Sequence, residues 1–401
     1  MMAHRNQKHL AALVAIALAG CVTTARADWP NFRGPNHDGI SEEKGFKTQW
    51  TGSIPLRWEK AIGSAFSSLA CVGDKVYTCG TQADKQVTFC LNADTGDVVW
   101  QRPIEEAFPD SSGGDGTRAT PTLDDGRVYI LGARGTLLCL DAAGGEEVWK
   151  THLKDMPKWG FSGSVLIEGN LAIATAGSSE GALVAFDKKT GKVAWRCGSD
   201  IAGYATPYPF TFQGKRYITG FTGVSAVIAD AATGRLMWQT PWKTAWNVNA
   251  SSPIFHDGYL FLSSGYDTGC ELFKLRVAGE ELEAESVWKS DVLLNKFQSC
   301  ILYEGNLYAS DQKALVCVDF LTGKELWRKR RIKHGTLILA DGHLILLTQE
   351  GRLQIAKVSP AGFEPQPAVD ILKGRCWTVP VLHRGRLYAR NLERLVCLDL
   401  K

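Results

Sequence analysis

Apolar residues in this chain rarely recur at helical spacing. They alternate with polar ones over short runs, as in "ALVAF" and "KVAW", and Gly with Asp, Asn or Thr closes most runs. A period of two places one set of side chains on a buried face, so the pattern predicts strands joined by tight turns. One phrase returns five times: "LNADTGDVVW", "LDAAGGEEVW", "FDKKTGKVAW", "ADAATGRLMW" and "VDFLTGKELW". The Asp-to-Trp spacing is constant, from Asp141 to Trp149, Asp187 to Trp195, Asp230 to Trp238 and Asp319 to Trp327, with Asn92 taking the Asp place before Trp100. This is the chemistry of a β-hairpin: the Asp or Asn side chain accepts from the backbone two residues on, and Gly supplies the positive φ that closes the turn.

A second phrase precedes these copies: "DDGRVYI", "IEGNLAI", "FQGKRYI", "HDGYLFL", "YEGNLYA", "ADGHLIL" and "HRGRLYA", with "CVGDKVYT" as a first version. It is another hairpin. Two hairpins per unit give four short strands, and residues 55–401 hold eight such units at periods of roughly 37 to 52 residues. The expected fold is all-β, an eight-bladed β-propeller of four-stranded antiparallel blades. Each blade is apolar on both faces and is stable only between neighbours. The recurring Trp on the outermost strand (Trp100, Trp149, Trp195, Trp238, Trp288 and Trp327, with Trp58 before the first unit) is the expected wedge. Burying ~150–250 Å² of Trp surface is worth at most roughly 4–6 kcal/mol per blade.

Three units depart from the pattern. The fifth keeps Trp288 behind a longer hairpin, the seventh loses both Thr-Gly and Trp, and the eighth stops at "LVCLDLK" without a fourth strand. An orphan strand, "PLRWEK", lies ahead of the first complete unit and supplies what the last one lacks. The ring is therefore expected to close through this N-terminal strand, which removes open sheet edges. Residues 28–54, including "DWPNFRGPNHDGIS", form the lead-in. In it Trp29 and Phe32 are expected to pack, Gly34-Pro35 to turn, and Arg33 to bond a carbonyl or carboxylate.

Composition adds the compartment. Residues 1–27 begin with Arg5 and Lys8 and continue with an apolar run from Leu10 to Gly20, too short to span a bilayer. They read as an export signal with two alternative cleavage points. Ala25-Arg26-Ala27 would release a soluble chain at Asp28. Leu18-Ala19-Gly20-Cys21 resembles a lipobox, which would make residues 1–20 a lipoprotein signal and anchor the protein through lipid on Cys21. The expected location is the periplasm or cell envelope, with outer-membrane anchoring under the lipobox reading. Removing residues 1–27 takes the formal charge from +3 to 3 − 3 = 0, since Arg5, Lys8 and Arg26 leave with no acid. A neutral chain offers no electrostatic case for nucleic acid, and membrane contact is expected only through Cys21.

Of the 11 cysteines, Cys90, Cys139, Cys317 and Cys397 recur at one place in the repeat and read as small apolar packing residues. Cys71 and Cys79 fall on neighbouring strands and form a candidate disulfide pair.

With these motifs in hand, the chain resembles the PQQ-like (quinoprotein-type) propeller repeat family, whose tryptophan-docking motif matches the Asp-x-x-Thr-Gly-x-x-x-Trp phrase. The resemblance implies one of two activities. Some members are quinone-dependent alcohol or sugar dehydrogenases using PQQ and calcium. Others are non-catalytic scaffolds, among them the propeller lipoprotein of outer-membrane protein assembly. This chain has no vicinal Cys-Cys, no long insertions, and no Asp or Glu that can be matched to the calcium ligands or base of the dehydrogenases. The expectation is a non-catalytic module with no cofactor, binding an envelope protein or peptide. A PQQ-dependent oxidoreductase is the alternative. The position just before each innermost strand should face the central funnel, and it yields a candidate ring of Phe66, Arg118, Phe161, Tyr204, Phe297, His334 and Trp377, with Ala250, Asn249 and Trp246 in the fifth blade. Aromatic rings with an Arg and a His suit a planar or anionic ligand or a peptide, or simply plug the channel. The Gly-rich loop "PDSSGGDGTR" has no EF-hand spacing.

Overall fold

The computed structural model describes residues 28–332 and 334–401; residues 1–27, with the expected export signal and Cys21, lie outside them. Eight antiparallel sheets follow one another along the chain, and among the described residues there is no helix. Blades 1 to 7 occupy residues 70–106, 122–152, 166–197, 208–241, 254–290, 301–330 and 336–370. Each runs from a short innermost strand to an outermost one, and the innermost strands surround the axis.

Blade 8 is completed from the other end of the chain. Its three C-terminal strands lie within residues 381–399, and Leu56–Ala61 pairs antiparallel with Arg394–Asp399 as the fourth. The lead-in reaches this position by crossing the disc. Trp29 exchanges two backbone hydrogen bonds with Cys71 of blade 1, at 2.7 and 2.8 Å. Pro30 accepts from Leu123 N–H of blade 2, and Ile40–Ser41 adds a parallel strand inside blade 7. Arg33, buried in the crossing, donates from Nη2 to the carbonyls of Cys300 (2.6 Å) and Asp38 (2.7 Å). Lys47 N–H then donates to the Leu400 carbonyl. The segment therefore ties five blades together before its strand seals the ring.

The wedges act across blade boundaries. Nε1 of Trp100 donates to the Ala142 carbonyl of the next blade, Trp149 to Lys188 and Trp288 to Phe320, each at 3.0 Å, and Trp195 to Ala231 at 3.2 Å. Trp58 makes the same bond to Ala93 at 3.0 Å and so joins blade 8 to blade 1. In three blades a Tyr on the second strand shares the acceptor: Tyr77 with Trp100, Tyr129 with Trp149 and Tyr388 with Trp58.

The recurring cysteines sit between these rings. Cys90 faces Tyr77 on one side and Trp100 on the other, Cys139 faces Tyr129 and Trp149, Cys317 faces Tyr308 and Trp327, and Cys397 faces Tyr388 and Trp58. Two large rings flanking one strand leave room for a small side chain only. Burial raises the thiols of Cys90, Cys139 and Cys317 to about 11, so they behave as apolar packing groups. The ten cysteines among the described residues are free thiols, so the candidate pair Cys71–Cys79 is not a disulfide.

Where the motif is lost, another contact replaces it. Blade 5 offers Trp238 no Gly, and Trp238 instead meets Phe273 edge-on at 5.5 Å. Blade 7 offers Trp327 the ring of Phe363 at 6.2 Å, while Nε1 donates to the Ser359 carbonyl. Chain neutrality is also only an average. Blade 6 ends in Arg328, Lys329, Arg330 and Arg331, a basic run on the rim, of which the last three are exposed.

Candidate functional site

Where the inner strands begin, the residues before them frame a funnel of about 300 Å³. Six of the ring positions do converge there. Phe66, Arg118, Tyr204, Phe297 and Trp377 line it, and His334 stacks on Phe297 at 5.5 Å with the planes 13° apart. Phe297 and Trp377 approach to 4.6 Å, and Phe66 stacks on Trp377 at 5.7 Å. Blades 6, 7, 8 and 1 thus present a continuous aromatic wall. Ala250 belongs to the opposite side, and Trp246 flanks the funnel by meeting the lining residue Trp159 edge-on at 6.4 Å. Asn249 is fully buried.

Phe161 does not reach the funnel. It is 1% exposed and packs in the core between blades 2 and 3, against Gly135. Ser162 lines the funnel in its place, together with Trp159. Phe161 and Ser162 are adjacent, and in extended backbone a one-residue step turns a side chain to the other face.

The signal that sets the register correctly is a hydroxyl two residues further on. Ser68, Thr120, Ser164, Thr206, Ser252, Ser299 and Thr336 occupy that place in blades 1 to 7, and Val379 does so in blade 8. These hydroxyls link neighbouring blades. Ser68 N–H donates to Thr120 Oγ1 (3.1 Å), Thr120 N–H to Ser164 Oγ (2.9 Å), Ser164 N–H to Thr206 Oγ1 (2.9 Å) and Ser252 N–H to Ser299 Oγ (2.9 Å). The belt satisfies backbone donors that would otherwise be orphaned where strands converge. It was legible in the sequence as "FSS", "RAT", "SGS", "YAT", "ASS", "FQS" and "HGT", but Ser and Thr are too common to attract notice singly.

Phe32 of the lead-in also lines the funnel, so the crossing segment contributes to its wall. Arg118, the one cation in the sequence-derived ring, is committed internally. It pairs with Asp110 at 2.9 Å, donates to the Gly114 carbonyl at 3.0 Å and lies over Phe108 at 4.6 Å. Both members of the pair are nearly buried, and burial lowers the Arg118 pKa. The loop 109–118 is thereby a folded wall element, with Asp110 N–H capped by Asp115 Oδ1 at 2.7 Å.

Several other cations at the funnel rest on aromatic faces. Lys158 Nζ lies 4.8 Å from the Trp159 ring centre and 5.1 Å from that of Trp246, Lys296 Nζ lies 5.2 Å from Tyr266, and Arg375 lies 4.5 Å from Trp377. None of these entered the candidate ring, because the loops that carry them differ in length from blade to blade.

A PQQ-and-calcium centre does not fit this donor set. Asp110 is the one carboxylate among the lining residues, and it is spent on Arg118. Among the described residues no group of three or more metal-ligating side chains occurs. Calcium requires six to eight oxygen ligands.

The fold and its docking motif define an eight-bladed PQQ-like propeller with an aromatic funnel. More narrowly, a family model described as outer membrane protein assembly factor BamB matches residues 83–329, and the chain belongs to that family. It is similar to outer membrane protein assembly factor BamB of Yersinia pestis, 23% identical over 338 residues that span 78% of this chain and 81% of that protein. Among solved structures it resembles BamB from Moraxella catarrhalis, with a TM-score of 0.63 and 15% identity, covering 86% of this chain and 99% of that one. It also resembles a quinohemoprotein alcohol dehydrogenase from Pseudomonas putida HK5, with a TM-score of 0.67 and 12% identity, covering 93% and 80%. At such identities the structural likeness establishes the fold and leaves the activity to the site.

Proposed function

We propose that this protein is an exported, non-catalytic binding module of the cell envelope that holds a protein or peptide partner at the funnel. The observation that carries this reading is the make-up of the funnel: an aromatic wall over a belt of hydroxyls, with its carboxylate, Asp110, and Arg118 neutralised by each other. Such a surface offers apolar area and hydrogen bonds, and the one carboxylate among its lining residues is spent on Arg118. Family membership and the similarity to assembly factors that span most of both chains support it. The shared fold with quinohemoprotein dehydrogenases favours the second reading, a PQQ-dependent oxidoreductase.

Site-specific photo-crosslinking in intact cells tests the proposal. A photoreactive residue at Trp246 should yield discrete adducts, and one at Leu321, on the rim of blade 6, should not. Saturable PQQ uptake with calcium, accompanied by dye-linked turnover of an alcohol or sugar, would overturn it in favour of the oxidoreductase. Anchoring through Cys21 belongs to the same proposal and has its own test below.

A further inference from the structure

Resting on the binding-module reading, we propose that the funnel mouth is a clamp for an acidic, apolar-bearing peptide segment of a partner protein. Trp246 is 56% exposed, the most exposed of the large apolar side chains described. Its loop is nonetheless rigidly braced. Thr244 Oγ1 accepts from Val248 N–H at 2.7 Å. Buried Asn249 donates to the Thr222 and Trp242 carbonyls at 2.8 and 3.1 Å, and its Oδ1 accepts from Ser264 Oγ at 2.7 Å. Ser264 Oγ in turn accepts from Trp242 Nε1 at 3.0 Å. A large ring held out to solvent by a fully bonded network is preorganised, so little ordering cost remains when a partner covers it.

Lys158 lies beside this ring, and two further cations sit on rings elsewhere at the funnel. Lys158, Lys296 and Arg375 each lie on an aromatic face. Arg375 also donates to the Gly113 carbonyl, whereas Lys158 and Lys296 have no carboxylate within 4.0 Å among the described residues. Asp110, by contrast, is already paired. An incoming carboxylate would therefore meet the ammonium groups of Lys158 and Lys296 beside rings, and an incoming cation would meet repulsion. The rings keep open faces for apolar side chains. In an extended peptide, residues i and i+2 point the same way, roughly 7 Å apart. Acidic and apolar residues in alternation would thus address the cations and the rings together.

The test is fluorescence anisotropy of a fluorescein-labelled peptide of alternating Glu and Phe, titrated with the full chain, beside versions with Gln or Lys for Glu. The Glu peptide should bind about tenfold more tightly than the Gln peptide, the size expected from two ion pairs beside rings. The double variant Lys158→Glu/Lys296→Glu should abolish that advantage and favour the Lys peptide. Trp246→Ala should weaken all three peptides, while Lys329→Glu/Arg330→Glu on the rim should change none. These side chains are exposed or half-buried, and matching thermal midpoints establish that the variants are folded. Equal affinity for the Glu and Gln peptides overturns the inference, and if that affinity still depends on Trp246 the binding-module reading stands. Binding of the Glu peptide lost through the rim substitutions instead overturns the location. No binding of any peptide, with crosslinks from position 246 intact, removes the acidic clamp alone. Absence of those crosslinks removes the reading beneath it.

Discussion

The indole of Trp58, on the strand that closes the ring, lies directly against Gly96 in the hairpin of blade 1. A Cβ built on Gly96 would come within 2.7 Å of that ring. The same contact recurs between Trp100 and Gly145, Trp149 and Gly191, Trp195 and Gly234, and Trp288 and Gly323. The motif glycine therefore has two duties, closing its own hairpin at positive φ and seating the neighbouring blade's wedge. Gly126, in the other type of hairpin, has φ +70° and nothing within 4 Å of its missing Cβ. Gly126→Ala should cost only the left-handed strain, roughly 1–2 kcal/mol. Gly96→Ala should cost more by about 1–3 kcal/mol of overpacking. Urea unfolding midpoints of the two variants check the difference, and equal midpoints would refute the docking role.

Closure by Leu56–Ala61 makes stability depend on the extreme N-terminal part of the propeller. Trp58 and Trp149 are 8% and 7% exposed and make equivalent bonds. Replacing either by Ala should cost about 3–5 kcal/mol. Deleting residues 28–60 should go further, uncovering the edge of Arg394–Asp399 and driving aggregation. Size-exclusion chromatography with denaturant unfolding decides this, and a soluble monomer of unchanged midpoint would show the ring to be held some other way.

Acid should weaken the lead-in through His37. Burial, reinforced by Arg216 and Arg33 and opposed by Glu168, holds its pKa down at about 4. The unfolded value is about 6.5. Between these two pH values the unfolded chain binds a proton that the folded chain does not, so stability falls as pH drops from 6.5 to 4 and this contribution is constant below. The loss is at most about 3 kcal/mol. His37→Gln should flatten that part of the pH profile, measured as urea midpoints at pH 7 and pH 4.5. A variant that loses as much stability as the parent would rule His37 out.

Trp246 should be nearly neutral for folding, unlike the wedges. It is more than half exposed, with contacts to Trp159 and Lys158 at the surface. Trp246→Ala should shift stability by no more than about 0.5 kcal/mol, read from the same unfolding curves. A shift comparable to that of Trp149→Ala would make it a structural residue.

The location prediction turns on Cys21. If the Leu-Ala-Gly-Cys run is processed as a lipobox, the intact protein should partition into detergent and Cys21→Ser should stay in the aqueous phase. Recovery of a soluble wild-type chain beginning at Asp28 would establish cleavage after Ala27 instead.

The architecture was legible because it is written in local chemistry. Alternation, turn residues and the constant Asp-to-Trp spacing are set by neighbours a few positions apart, and a repeated unit states the same information many times over. Trp58 could be assigned to blade 8 from the gap after Leu395–Leu398, since an unpaired edge is a deficit visible in the pattern itself. The cysteine positions were readable as packing sites, yet why they are small became clear only when Tyr77 and Trp100, for example, were seen to flank Cys90 on both sides. The funnel was decided by tertiary structure. Phe161 and Ser162 are adjacent, and only the convergence of eight inner strands determines which of them meets the axis. Lys158, Trp159, Trp246 and Lys296 come from loops of unequal length, where no periodicity constrains direction. Arg118 looked like a ligand-binding cation in the chain, but it is paired with Asp110 at 2.9 Å, a contact that only the folding of the loop 109–118 creates.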